Sequence, residues 1–295
     1  MIDQEPKKIN RRQFIEISAK ALAAVTIADS LSAHIGIPTL TSGFWEGLES
    51  GALLVDNAAL QKSLNQQFNT AIISREENDI SRNIKIDPED KLNMIPWEGP
   101  YLKALERTLS TLPKHYYSPR EITGIAQPLR FALYNRLPIP DAAGLYNPRI
   151  GFKSGAEIQI SKGGFNQFIF NHYRSSELLV HEITHYVTDK YSFPSFAKKE
   201  VEIKNAVGLE SVDDLRQAFT SVIEAPDNHP FKYVGYGAQN FDEFWAVAAE
   251  YYYRGASNFK EAYSEFLGEE RAEILYNGVR DHIFRGQEYF YGTKL

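Results

Sequence analysis

Apolar positions along the chain change their spacing twice. Between residues 52 and 73, Leu60, Leu64, Phe68 and Ile72 recur every fourth position, which predicts a helix with one apolar stripe. The polar stretch 75–93 reads as a surface loop, and Pro100 and Pro113 bracket a second helix over 100–111. Then the period falls to two. Residues 121–125 and 156–161 alternate apolar and polar side chains as half-buried strands do, and 165–170 predicts a further short strand. From Ser175 onward helical spacing returns, over about 176–190, 211–223, 240–253, 258–266 and 269–283. Helix, strands, then helices predicts an α+β domain, with a small mixed sheet ahead of a helical C-terminal part.

Composition narrows the functions open to such a domain. With 43% hydrophobic and 24% charged residues among 295, the chain can bury a large core. A net charge of −6, with no Lys/Arg-rich stretch after the N-terminus, argues against nucleic acid as a partner. Cysteine is absent, so disulfides, thiolate metal ligands and cysteine nucleophiles are excluded, and any metal must be held by His, Asp, Glu or water. No later segment reaches the ~18 apolar residues of a membrane span, and the chain reads as a monomer.

Residues 1–33 differ from the rest. Asn10-Arg11-Arg12-Gln13-Phe14-Ile15 resembles a twin-arginine export signal, followed by the weakly apolar Ala21–Ile27 and small residues at Ser30–Ala33 where a peptidase could cut. That resemblance implies export to a periplasm or the cell exterior. Phe14, Ile17, Ala21 and Val25 also lie at helical spacing, which leaves an amphipathic helix as the alternative.

The residues that carry chemistry are His181-Glu182-Ile183-Thr184-His185. On a helix, positions four apart lie about 40° apart around the axis, so both imidazoles can reach one ion. Glu182, about 100° round from His181, stands beside that ion without binding it. Two neutral nitrogen ligands and a carboxylate that takes a proton from water are what a hydrolytic zinc site requires. Leu178, Leu179, Val180, Ile183 and Val187 make the helix apolar on most sides, with Ser175 or Ser176 available as its cap. Imidazoles and a carboxylate in such surroundings carry a desolvation cost unless a metal or partners satisfy them.

A third ligand is needed, with one position left for water. Glu210 is one candidate: Glu210 and Asp214 stand four apart, as in the second signature of thermolysin-type peptidases. Glu243 is another, opening the apolar run Phe244–Ala249, and His229 is a third. Asn240 and Glu243 also fit a capping box, in which the Glu only bonds the cap backbone. The rigid apolar support puts Glu243 ahead on chemistry alone.

The segment Tyr236-Gly237-Ala238-Gln239-Asn240-Phe241-Asp242-Glu243-Phe244-Trp245-Ala246-Val247-Ala248-Ala249-Glu250 resembles the anthrax-lethal-factor-like zinc peptidases. These are gluzincins related to the Pro-Pro endopeptidases and the Mlc titration factor A peptidases. In that group a Tyr precedes the third ligand, a Glu, by seven residues. The resemblance implies a zincin-like domain over 96–295, after a linker and helical region at 34–95. It implies one Zn2+ held by His181, His185 and Glu243, Glu182 as general base, and Tyr236 as the oxyanion donor, with Tyr233 three residues away as the alternative tyrosine. It further implies a peptide or protein substrate, held by strand addition to one of the strands before the motif helix, 156–161 foremost. Where several relatives carry Asp three residues after the second His, this chain has Thr188, with Asp189 next. The interval from His185 to Glu243 is also long, which implies an inserted helix near 211–223. The competing function is a zinc-binding, peptidase-like interaction protein that cleaves little.

Overall fold

Four short strands form one mixed sheet: β1 (Ala71–Ile73), β2 (Arg130–Tyr134), β3 (Gly144–Asn147) and β4 (Glu157–Ser161). The computed structural model describes residues 57–73, 94–117, 128–137, 139, 142–148, 156–169, 172–189 and 193–289, with backbone alone at 166–169 and 172–175. The expectations for the N-terminal signal, the 34–50 linker, the 75–93 loop and the 121–125 strand fall outside these residues. The described residues belong to one compact unit, 55–295.

The strand order is β1-β2-β4-β3. β1, β2 and β4 run parallel, and β3 runs antiparallel to β4 with Gly144 opposite Ile160 and Tyr146 opposite Ile158. Strand periodicity sends Ile72, Phe131, Leu133, Ile158, Ile160 and Tyr146 to one face, where all join the main core. Ile73, Ala132, Tyr134 and Leu145 face the other way and pack with Met94 and Leu137. On that second face Arg130 and Glu157 form a buried ion pair at 3.4 Å.

Eleven helices are described. They are α1 (Asn57–Phe68), α2 (Gly99–Thr111), α3 (Lys162–Ile169), α4 (His172–Thr188), α5 (Pro194–Val207), α6 (Val212–Ala218), α7 (Thr220–Ile223), α8 (Lys232–Gly237), α9 (Phe241–Arg254), α10 (Ala256–Leu267) and α11 (Glu269–Gly278). A turn of π-helix, Val279–Ile283, follows α11. The core joins one sheet face to α2, α4 and α9 through Leu102, Leu105, Leu179, Val180, Ile183, Phe244, Trp245 and Val247. α4 and α9 pack directly on each other. In α9 every residue from Phe244 to Tyr252 is buried. Truncating one of its large side chains would cost about 3–5 kcal/mol, so this helix is a rigid mount for whatever its first turn carries.

The structure corrects four expectations. Helix α1 stops at Phe68, not at residue 73: Asn69 turns to positive φ (51°), and Ile72 then hydrogen-bonds Asn65 Oδ1 through its N–H and Gln61 Nε2 through its carbonyl as part of β1. Residues 165–170 are not a strand, because α3 runs to Ile169. The Ser161 hydroxyl accepts the Gly164 N–H at 3.0 Å, and this cap starts the helix. The 211–223 helix is broken at Phe219 into α6 and α7. Finally, β4 cannot take an added substrate strand, since β2 and β3 occupy both of its edges. β3 is the edge strand beside α4. The periodicity also gave no warning of α5 and α8. Among the described residues no helix is long and apolar enough to cross a membrane.

Candidate metal centre

His181 and His185 leave α4 one turn apart, and their Nε2 atoms lie 3.2 Å from each other. The first turn of α9 brings Glu243 up to both. Its Oε2 is 3.2 Å from His181 Nε2, and its Oε1 is 3.8 Å from His185 Nε2. The three side chains form a group that could hold a metal ion, with one ligand atom from each within 4.8 Å of the others. Bonds of 2.0–2.2 Å to a tetrahedral ion imply ligand–ligand edges of about 3.3 Å, so the observed separations suit such an ion.

The donor chemistry points the same way. His181 Nδ1 lies 2.7 Å from Glu250 Oε1. With Nδ1 donating, neutral His181 has its lone pair on Nε2, the atom that faces His185 and Glu243. Glu243 Oε2 is buried and receives no well-directed hydrogen bond. Leaving such an atom without a partner costs about 1–3 kcal/mol or more. Burial would lower the His181 pKa, but the close approach of Glu243, the hydrogen bond to Glu250 and the nearby negative charges push it up to about 10. Burial and the His181 charge push His185 down to about 4.

Glu182 is buried on the β3 side of α4, against Gly144. Burial, reinforced by Glu243 and Glu250, pushes its carboxyl up to about 7 against the pull of His181. It lies flat against Gly144: a Cβ there would stand 2.6 Å from Glu182 Cγ and 2.7 Å from Cδ. Tyr146 lays its ring parallel to His185, centroids 6.3 Å apart at 19°, and its hydroxyl donates to Asp189 at 3.0 Å.

α8 presents two tyrosines. Burial and the nearby Glu243 carboxylate raise the Tyr236 pKa, so its hydroxyl remains a donor beside Glu243. Its ring lies 6.2 Å from that of His181. Tyr233 stacks on Tyr236 at 5.6 Å and 5°, and its hydroxyl donates to Glu250 Oε1 at 2.8 Å. The ring edge of Tyr233 is partly exposed while its hydroxyl is buried.

The structure therefore brings together His181, His185, Glu182, Glu243 and Tyr236. Glu210 is not with them: it is exposed, next to the Ser211 that caps α6. His229 accepts the Phe231 N–H through Nδ1 and also stands outside the group. Asn240 does cap α9 by accepting the Glu243 N–H at 2.9 Å, but the Glu243 carboxylate turns toward the histidines instead of back to the cap. Ser176 is no cap, because α4 begins at His172; its Oγ accepts the hydroxyl of Thr108. Sequence reasoning assigned no role to Glu250. Its signal was the seven-residue step from Glu243, two helical turns that return to the same face of an otherwise apolar run.

A four-stranded mixed sheet with a His-His-Glu group between α4 and α9 thus defines the molecule by its fold and site. No protein-family model, curated protein or solved structure matches the chain.

Proposed function

We propose that the protein is a zinc-dependent endopeptidase of the lethal-factor-like gluzincin type, with His181, His185 and Glu243 as the zinc ligands. The observation that carries this reading is the convergence of those three side chains at 3.2–3.8 Å with Glu182 and Tyr236 at the same centre. Zinc bound there would polarise the scissile carbonyl and acidify the attacking water. Glu182 takes the proton from that water and returns it to the leaving amine. Its close packing against Gly144 keeps the carboxylate oriented. Tyr236, a protonated donor beside Glu243, hydrogen-bonds the oxyanion of the tetrahedral intermediate.

The test is Glu182→Gln in the full chain, assayed on a peptide library alongside metal analysis. Hydrolysis should fall about 10²–10⁴-fold while bound zinc and thermal stability stay at wild-type values. Undiminished cleavage in this variant would overturn the mechanism. Stoichiometric zinc with no cleavage of any peptide by the wild type would favour an interaction protein instead.

A further inference from the structure

We propose that Glu250 and Tyr233 are positioning residues that fix His181 for metal binding, a role that rests on reading the His181–His185–Glu243 group as a zinc site. Glu250 Oε1 is the shared acceptor of two donors, His181 Nδ1 at 2.7 Å and the Tyr233 hydroxyl at 2.8 Å. Its Oε2 faces the Arg254 guanidinium at 3.8 Å, and Arg254 is itself held at 2.8 Å by Glu177 on α4. The carboxylate is 4% exposed and follows Ala246, Val247, Ala248 and Ala249, all fully buried.

A carboxylate in that place carries a desolvation cost that apolar packing would avoid. Its partners explain why it is there. Two of the three lead to the metal group: His181 is one of its members, and Tyr233 stacks on Tyr236, which lies beside Glu243. Accepting Nδ1–H locks the ring of His181 and its tautomer, so that Nε2 keeps its lone pair toward the ion. Tyr233 occupies the same oxygen from the side and prevents the carboxylate from rotating away. Arg254 supplies the compensating positive charge from one turn further along α9. The arrangement runs from Glu177 through Arg254 and Glu250 to His181, and it braces the ligand on the side opposite the ion.

The variants Glu250→Ala, Glu250→Gln, Glu250→Asp and Tyr233→Phe in the full chain test this. Zinc affinity is measured by competition with a chromophoric chelator, thermal unfolding is followed on the metal-free protein, and the absorption spectrum is recorded after Co(II) loading. Glu250→Ala should bind zinc about 10–100-fold more weakly and shift the Co(II) spectrum. Glu250→Gln should lose less, because its carbonyl can still accept both donors while the charge beside Arg254 is gone. Glu250→Asp should recover much of the affinity, and Tyr233→Phe should lose the least. A merely structural Glu250 would lower the unfolding temperature of the metal-free protein and leave affinity and spectrum unchanged. That result, read from the Gln and Asp variants should the Ala variant fail to fold, overturns the proposal and leaves the zinc reading standing. A wild-type chain that binds no zinc overturns both.

Discussion

The two histidines of the motif stand one turn apart on α4, yet the walls that hold them work by different physics. On the α8–α9 side, His181 is held by charge: Glu250 at 2.7 Å, with Tyr233, Arg254 and Glu177 behind it. On the β3 side, His185 and Glu182 are held by shape. A tyrosine ring lies parallel to His185, and a glycine leaves the space in which the Glu182 side chain rests. A wall built of buried charges fails when an atom is removed, because the remaining partner is left desolvated and unpaired. A close-packed wall fails when an atom is added. Deletions should therefore be most damaging on the first wall and insertions on the second.

The sharpest break of the comparison is Glu243→Ala, which removes the carboxylate that α9 brings to the His181–His185–Glu243 group. Zinc should be lost from the purified protein and hydrolysis with it, whereas Glu210→Ala should keep both; the reverse pattern would make Glu210 the ligand. Thermal unfolding gives an independent reading. At free zinc about 1,000 times Kd, binding stabilises the fold by about 4 kcal/mol, worth about 8–16 °C in Tm for a chain of this size. That zinc-dependent rise should be present in the wild type and absent in Glu243→Ala.

Next in size is an addition to the other wall. In Gly144→Ala the new methyl meets Glu182 Oε1, with Cγ at 2.6 Å and Cδ at 2.7 Å. The side chain is the movable party, so the protein should fold and keep its zinc while Glu182 shifts off its seat. A displacement of about 1 Å in a catalytic group can cost about 100-fold, and kcat should fall by that order with zinc content unchanged. Wild-type kcat in Gly144→Ala would mean that the seat of Glu182 does not govern its chemistry.

The contrast between the walls also governs how much of the molecule could be read from its residues. The charged wall lies on long helices, where a period of 3.6 converts spacing into geometry. His181 and His185 were legible for that reason, Glu243 through the apolar run behind it and the family resemblance, and α9 spans Phe241–Arg254 against an expected 240–253. The sheet was much less legible. Alternation at 156–161 marked β4, but β1, β2 and β3 hold only three to five residues, and β2 is buried throughout, so alternation gave no signal for them. The aromatic run at 165–170 has strand propensity, but the Ser161 cap commits it to α3. Helix α5 shows only Phe196, Ile203 and Val207 as buried positions, too sparse a stripe to read. Which of Tyr233 and Tyr236 reaches Glu243 depends on how α8 is rotated, a tertiary fact. Glu250 sat in plain view, but only the contact with His181 distinguishes it from a solvated helix acid.

The smallest effect belongs to Tyr146→Phe, which tests whether shape alone holds His185. The variant keeps the ring against the imidazole and removes only the hydroxyl that donates to Asp189 at 3.0 Å. Net loss of one such bond to a charged acceptor costs about 1.5–3 kcal/mol at most, and less where Asp189, half-buried, regains water. Tm should fall by a few degrees, about 2–4 °C per kcal/mol for a chain of this size. Zinc affinity and kcat/KM should change by less than about tenfold, since 1.36 kcal/mol corresponds to one decade. Tyr146→Leu should lower both further, because the flat ring itself is gone. If Tyr146→Phe weakened zinc binding as strongly as Glu250→Ala, His185 would also be held through a hydrogen-bonded carboxylate, and the distinction between a wall of charge and a wall of shape would collapse.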